Sequence, residues 1–310
     1  MQIVHSLSEI QHNPNTVITV GVFDGVHRAH KAIIQSVVEQ AKKNNRRSVV
    51  VTFHPHPKEI LKSETKYFYL TTLEEKIQHI EKLGVDILFV VPFTKEFSQK
   101  SFREFYGEYI VKGIGVSTVI EGENHHFGKG REGGINEIKQ LGEEYNFSVS
   151  VVNSINVEGE IISSSLIKKL LNAGNMQFAN RMLGYNYQFS GIVQRGDLRG
   201  RKLGYPTANV APPENKLIPH NGIYAAKIII DEQRYDGMMS IGVIPTFYEN
   251  HQRTIEVNIF NFSEEIYDKP ITLECIAWTR NEKRFDNVEQ LVNEMNHDKI
   301  IIENILQNHS

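Results

Sequence analysis

Residues 196–210 read Gly-Asp-Leu-Arg-Gly-Arg-Lys-Leu-Gly-Tyr-Pro-Thr-Ala-Asn-Val. Gly196, Gly200 and Gly204 let the backbone turn sharply and come close to a ligand. Arg199, Arg201 and Lys202 set cationic donors beside that backbone, a chemistry suited to phosphate. Pro206 fixes the chain. Thr207 and Asn209 follow with one residue between them, so in an extended segment both side chains emerge on one face. A hydroxyl and an amide oxygen so placed are hard ligands, suited to a magnesium ion carried by a nucleotide.

Outward from this stretch the texture is that of short strands. Phe189–Gln194, Ile223–Ile230, Gln233–Val243, Thr254–Phe262 and Ile271–Trp278 are rich in β-branched and aromatic residues, with no helix between them. That pattern predicts an antiparallel barrel, and Val288–Gln307 reads as a closing amphipathic helix. Within 254–262, Glu256 shares a face with Thr254 and Asn258, while Ile255, Val257 and Ile259 take the other. Spacing alone favours a solvated charge outside the barrel.

The first half alternates two periods. Val17–Val22, Ser48–Phe53, Asp86–Val91, Thr118–Ile120 and Ser148–Val152 read as short apolar strands. Helical patterns lie between them at 29–44, 73–83, 102–111 and 135–145, and two more follow at 164–172 and 176–183. Such alternation predicts a parallel sheet covered on both faces. The change of texture puts the domain boundary near 184–188, giving domains 1–185 and 186–310. Gly21-Val-Phe-Asp-Gly-Val-His-Arg-Ala-His30 follows a strand and opens a helix, where backbone N–H groups and the helix dipole favour phosphate. His27 and His30, three apart, can present to one anion from the first turn.

The chain has 310 residues and a net charge of −3, without the global basic field of nucleic-acid binders. Cys275 is the single cysteine, so no intramolecular disulfide forms. Residues 1–14 lack the pattern of a signal peptide, and the longest apolar stretch, 87–93, is too short to span a bilayer. A soluble cytoplasmic protein is expected, with neither nucleic acid nor membrane as a partner. His54, His56, His125 and His126 carry no spacing that fixes a metal site and are expected to line a polar pocket.

The run 196–210 resembles the riboflavin kinase signature almost without a gap. Asn-Gly-Ile-Tyr-Ala (221–225), Ser-Ile-Gly-Val-Ile-Pro-Thr-Phe (240–247) and Arg-Asn-Glu-Lys-Arg-Phe (280–285) extend the resemblance. The amino-terminal motif resembles the adenylyltransferase domain of bifunctional riboflavin kinase/FAD synthetases, supported by Val-Thr-Phe-His-Pro-His-Pro (51–57), Leu-Thr-Thr-Leu-Glu-Glu-Lys (70–76) and Ile-Ser-Ser-Ser (162–165). The resemblance implies a nucleotidyltransferase-like sheet followed by a kinase barrel. It implies phosphorylation of riboflavin to FMN, then adenylyl transfer from ATP to give FAD and pyrophosphate. Glu256 takes the position of the glutamate that activates the ribityl hydroxyl, and His27 and His30 that of the adenylyltransferase histidines. Gly21, Phe23, Asp24, Gly25, Ser163, Ser164 and Lys169, with Gly196, Arg199, Arg201 and Gly204, are implied in binding ATP and its phosphates. Asn124 is placed to read a flavin or base edge. Magnesium would enter with ATP at Thr207 and Asn209. FMN and FAD are then products, and no tightly bound redox cofactor is expected.

Three departures from the family pattern stand out. Ala29 replaces a glycine between the two histidines at little cost. His126 and Leu166 stand where the family carries arginine. Lys169, one turn beyond Leu166 on the same face, is the better substitute cation, though a point charge rather than a planar fork. These losses leave open a chain whose kinase works while adenylyl transfer is weak or lost. A regulator that senses flavin or nucleotide is the alternative outside enzymes, and the retained Glu256 speaks against it.

Overall fold

A computed structural model describes residues 1–62, 64, 66–196, 200, 204–243 and 253–309, with Arg131 given by its backbone only. Contacts divide the chain into two units, Met1–Ser164 and Ser165–Ser310. The division falls two helices before the change in sequence texture.

In the first unit six strands, β1 (Gln2–Val4), β2 (Thr16–Val20), β3 (Arg47–His54), β4 (Ile87–Pro92), β5 (Thr118–Gly122) and β6 (Ser148–Val152), form one sheet in the order β1-β4-β3-β2-β5-β6. Every pairing is parallel. The strands of this sheet alternate between two cores. Ile18, Val20, Val49 and Val51 join Phe105, Ile110 and Ile138 on one face, whereas Val50, Leu88 and Val90 join Ile34, Val38 and Ile80 on the other. A strand buried on both faces needs apolar residues at every position, which is why these segments read as continuous hydrophobic runs. The covering helices include α1 (Arg28–Lys43), α2 (Pro57–Leu61), α3 (Leu73–Glu81), α4 (Phe102–Phe105) and α5 (Ile135–Tyr145). The helix of α4 runs on as a π-helix over Tyr106–Ile114, beyond the expected end at 111.

Chain order fixes where a ligand enters. β2, β3 and β4 step one way across the sheet, then the chain returns to place β5 and β6 on the other side of β2. The switch point lies between β2 and β5, and ligands of such sheets bind beyond the carboxyl ends of those strands. A two-stranded hairpin, β7 (Asn156–Val157) with β8 (Glu160–Ile161), follows the sheet.

The second unit carries α6 (Ser164–Asn172), α7 (Met176–Leu183) and a closed barrel in the order β10-β13-β12-β11-β14-β9. These are β9 (Tyr187–Gln194), β10 (Ala208–Ala211), β11 (Gly222–Ile230), β12 (Gln233–Val243), β13 (Arg253–Ile259) and β14 (Pro270–Arg280), all paired antiparallel. α7 is tied to the barrel through Asn180, which donates to Cys275 O (2.9 Å) and accepts from the Tyr187 N–H (2.8 Å). Tyr187, Phe189, Tyr224, Met239, Val257 and Leu273 are fully buried and fill the bore. The opposite face of β11 and β12 carries Ala225 and Met238, which pack under Ile302 and Leu306 of α8 (Val288–Gln307). Cys275 is buried and free, as its apolar surroundings lead one to expect.

Candidate active site

Strand pairing assembles the barrel site. Asn209 of β10 and Glu256 of β13 are direct partners across their ladder, and Ser240 of β12 faces Glu256 from the other side. Partners across an antiparallel ladder point to the same face. Met238 and Ser240 are on one face of β12, so Glu256, Asn209 and Asn258 share the outer wall with the α8 contact. The group therefore sits on the barrel's outer wall. Glu256 is half-buried, and its Oε2 lies 3.4 Å from the Thr207 hydroxyl, which donates to it. The solvated charge that spacing alone favours is thus replaced by a carboxylate grouped with two oxygen-bearing side chains, Thr207 and Asn209.

The loop before Thr207 is held on three sides. Pro206 O accepts from Asn258 Nδ2 (2.8 Å), and the Tyr205 N–H donates to Gly200 O (2.9 Å). The Tyr205 hydroxyl donates to Asn296 of α8. Gly196 is needed for close approach, since a Cβ there would come within 2.0 Å of Asn209 Nδ2. Gly204 has φ +80°. Arg199 and Arg201, with Lys202, lie outside the described residues, as does the stretch 244–247. Glu282 approaches the same region, because a Cβ on Gly242 would meet its carboxylate at 2.0 Å. Burial pushes the Glu282 carboxyl up from its ordinary value, and the Glu256 charge adds to that.

In the first unit the loop after β2 is bent out of ordinary backbone space. Phe23, Gly25 and Val26 have φ of 51°, 85° and 33°. Only glycine takes such values freely, so Phe23 and the β-branched Val26 are held there by their surroundings. Asp24 is the anchor. Its Oδ1 accepts the Leu70 and Thr71 N–H groups (2.9 and 3.3 Å), and its Oδ2 accepts the Tyr67 hydroxyl (3.0 Å). The Gly25 N–H donates to Thr71 Oγ1 (3.0 Å), and the Ser164 hydroxyl donates to Asp24 O (2.9 Å). Asp24 is thus a buried brace, and Gly21 leaves room for the Phe23 ring, which a Cβ would strike at 2.7 Å.

His27 caps α1. Its Nδ1 accepts the His30 N–H (3.4 Å), and the two rings stack with centroids 3.5 Å apart. Capping fixes the tautomer of a neutral His27, leaving the proton on Nε2 as a donor. Burial lowers the His27 pKa to about 4 against the opposing pull of Asp24, and holds His30 well below its ordinary value. Both rings are therefore neutral at pH 7. His30 Nδ1 is buried without a partner among the described residues. Lys76 reaches Val22 O (2.8 Å) from α3, and burial lowers its pKa to about 8 although Asp24 raises it.

The FAD synthetase family matches residues 9–166, and the riboflavin kinase family matches residues 183–306. The chain belongs to the bifunctional riboflavin kinase/FMN adenylyltransferase family. It is 37% identical to the member from Listeria monocytogenes over 92% of this chain and 90% of that protein. It is 35% identical to that from Bacillus subtilis over 95% and 93%. A crystal structure described as a macrolide-efflux protein from Streptococcus pneumoniae has a TM-score of 0.89 at 28% identity, covering 97% of this chain and 98% of that one. Among the described residues no helix is long and apolar enough to cross a membrane.

Other family positions are more exposed. Asn124 is exposed after β5 and donates to Ser154 Oγ (2.9 Å). Ser163 and Lys169 are exposed, and Leu166 is half-buried. His126, in the second arginine position, is exposed too. His56 caps α2, accepting the Lys58 N–H on Nδ1 (3.0 Å), and its Nε2 meets the Tyr67 hydroxyl (2.8 Å). Among the described residues no three His, Cys, Asp or Glu side chains form a group able to hold a metal. Sequence reasoning assigned no role to Lys76 or Tyr67, although Lys76 lies within a quoted family motif, and it expected of His56 no more than a place in a polar pocket wall.

Proposed function

We propose that the barrel face transfers the terminal phosphoryl group of magnesium-bound ATP to the ribityl hydroxyl of riboflavin. Glu256 takes the hydroxyl proton, and the loop around Gly196, Arg199, Arg201 and Gly204 cradles the phosphates. The Thr207 hydroxyl and Asn209 amide oxygen are hard donors that suit magnesium entering with ATP, and the ion neutralises charge on the phosphates. The grouping of Thr207, Asn209 and Glu256 on one face carries this reading, because phosphoryl transfer needs positioning, charge stabilisation and a proton acceptor together.

Adenylyl transfer is assigned to the crevice between β2 and β5. FMN offers a phosphate whose second pKa is about 6, so the nucleophile is already ionised and no strong base is required. Catalysis falls to donors aimed at the phosphates of ATP. These are the N–H groups around Gly21, Phe23, Asp24 and Gly25, the Nε2–H of His27, His30, and Ser163, Ser164 and Lys169. Asn124 reads the flavin. Residues 1–185 form the adenylyltransferase and 186–310 the kinase, in a cytoplasmic enzyme whose partners are riboflavin, FMN, FAD and ATP.

Leu166 and His126, in place of two arginines, favour a second reading in which FAD formation is slow. Purified protein incubated with riboflavin, ATP and magnesium, with FMN and FAD separated afterwards, decides between them. Both flavins are expected. FMN alone removes adenylyl transfer, and unchanged riboflavin removes both activities.

A further inference from the structure

β2 and β5 pair only at Val17 with Thr118 and Ile18 with Val119. On their outer sides the ladders continue, β2 with β3 as far as Val20–Val51 and β5 with β6 as far as Gly122–Val152. The two central strands therefore part over their last residues, and the crevice opens there. Parting leaves the inner backbone groups without strand partners, and a buried N–H cannot stay unpaired.

Glu121 fills that gap. Its Oε1 accepts the Val20 N–H (2.8 Å) and its Oε2 the Thr19 hydroxyl (3.4 Å), both from β2. The same Oε2 lies 3.1 Å from His125 Nδ1, in the loop that carries Asn124. One carboxyl thus touches the residue before the Gly21–His27 loop and the residue after Asn124. Glu121 is only 2% exposed. Burial pushes its carboxyl well up, and burial also brings His125 down to about 4. No Lys or Arg pairs with Glu121 among the described residues. Tyr106 Oη and His125 Nε2 are buried near it without partners among those residues. An apolar side chain would pack such a site at lower cost. What the carboxyl supplies that packing cannot is a fixed link between two parted strand ends.

We propose that Glu121 is a positioning residue for adenylyl transfer, setting the distance between the phosphate loop on β2 and the flavin loop on β5. The inference rests on the assignment of adenylyl transfer to this crevice. Each loop can still bind its own substrate without the link, but the FMN phosphate no longer lies in line with the α-phosphorus of ATP. The signature is a fall in kcat with nucleotide affinity retained.

The test uses the full-length chain as wild type, E121A and E121Q, measuring FAD formation from FMN, ATP affinity and thermal unfolding. E121A is expected to lose about 100-fold in kcat, the scale of an ångström-sized misplacement, with ATP affinity unchanged. E121Q restores most of the rate, because its amide oxygen accepts from Val20 and its NH2 donates to His125. A kcat in E121A equal to wild type overturns the inference, as does loss of rate and ATP affinity together in step with unfolding, or an E121Q as poor as E121A. A wild type that makes no FAD overturns the functional reading and this inference with it. A wild type that makes FAD beside an equally active E121A overturns the inference alone.

Discussion

Thr207, immediately before β10, donates its hydroxyl to Glu256 Oε2 of β13 at 3.4 Å, between residues 49 apart in sequence. At that length the contact is loose, and the carboxylate keeps lone pairs for another proton. With Asn209 directly opposite on the ladder, Glu256 has two oxygen-bearing side chains beside it on one face. E256Q keeps the shape and removes the proton acceptor. Conversion of riboflavin to FMN should fall about 100-fold or more, the range of general-base catalysis, while the far-ultraviolet circular dichroism stays that of wild type. Retained turnover excludes Glu256 as the base.

Gly196 and Asn209 give a steric test of the same face. A methyl group at 196 would overlap the Asn209 amide, at 2.0 Å from Nδ2 and 2.7 Å from Cγ. The amide is the end of a short side chain, so it must rotate away from its present position. G196A is expected to raise the KM for magnesium-ATP in the kinase assay and leave FAD formation from supplied FMN unchanged. An unaltered KM means that the Asn209 amide does not face the nucleotide.

Much of this arrangement is legible in the sequence, because periodicity and motif report local facts. The long strands and the helix at 288–307 follow their patterns, and His27, Thr207 and Glu256 stand in motifs. Five elements escape. β1, β7, β8 and β10 span 3, 2, 2 and 4 residues, too few to show a period, and α2 has 5. Glu121 and Lys76 escape for a different reason. A charged residue at the end of an apolar run reads as the point where the strand meets solvent, so the expected strand stops at Ile120. In the fold β5 runs to Gly122, and Glu121 turns inward to a backbone group 101 residues away. Lys76 likewise lies in an amphipathic helix, yet it is 2% exposed and reaches Val22 O. Partners that distant leave no trace in local pattern.

Leu166 gives a gain-of-function prediction. Arginine is tolerated where a side chain is half-buried, since its stem packs while its head reaches solvent or a phosphate. A charge-assisted hydrogen bond contributes about 1.5–3 kcal/mol, or roughly one to two orders of magnitude in rate. L166R should raise the rate of FAD formation by up to that factor without changing FMN formation. No gain in FAD sinks the argument that a missing cation limits this step.

The buried histidines make stability depend on acid. His27 titrates near 4 in the fold, against 6.5 for an unhindered imidazole, because burial disfavours its charge. Between those values the unfolded chain holds a proton that the folded chain lacks, so stability rises with pH across the window and falls as pH drops through it. Above 6.5 neither state is charged and the effect vanishes. A displacement of that size amounts to about 3 kcal/mol once pH reaches the folded value. His125 is moved in the same direction by burial and adds to the same window. Because the chain has two units, a global melting curve mixes them, and amide exchange along α1 isolates the unit concerned. H27N keeps an N-cap acceptor for the His30 N–H but cannot titrate. Protection of α1 in the wild type should fall between pH 6.5 and 4 more steeply than in H27N, with the two slopes alike above pH 7. Parallel slopes throughout would mean that His27 is charged in the fold.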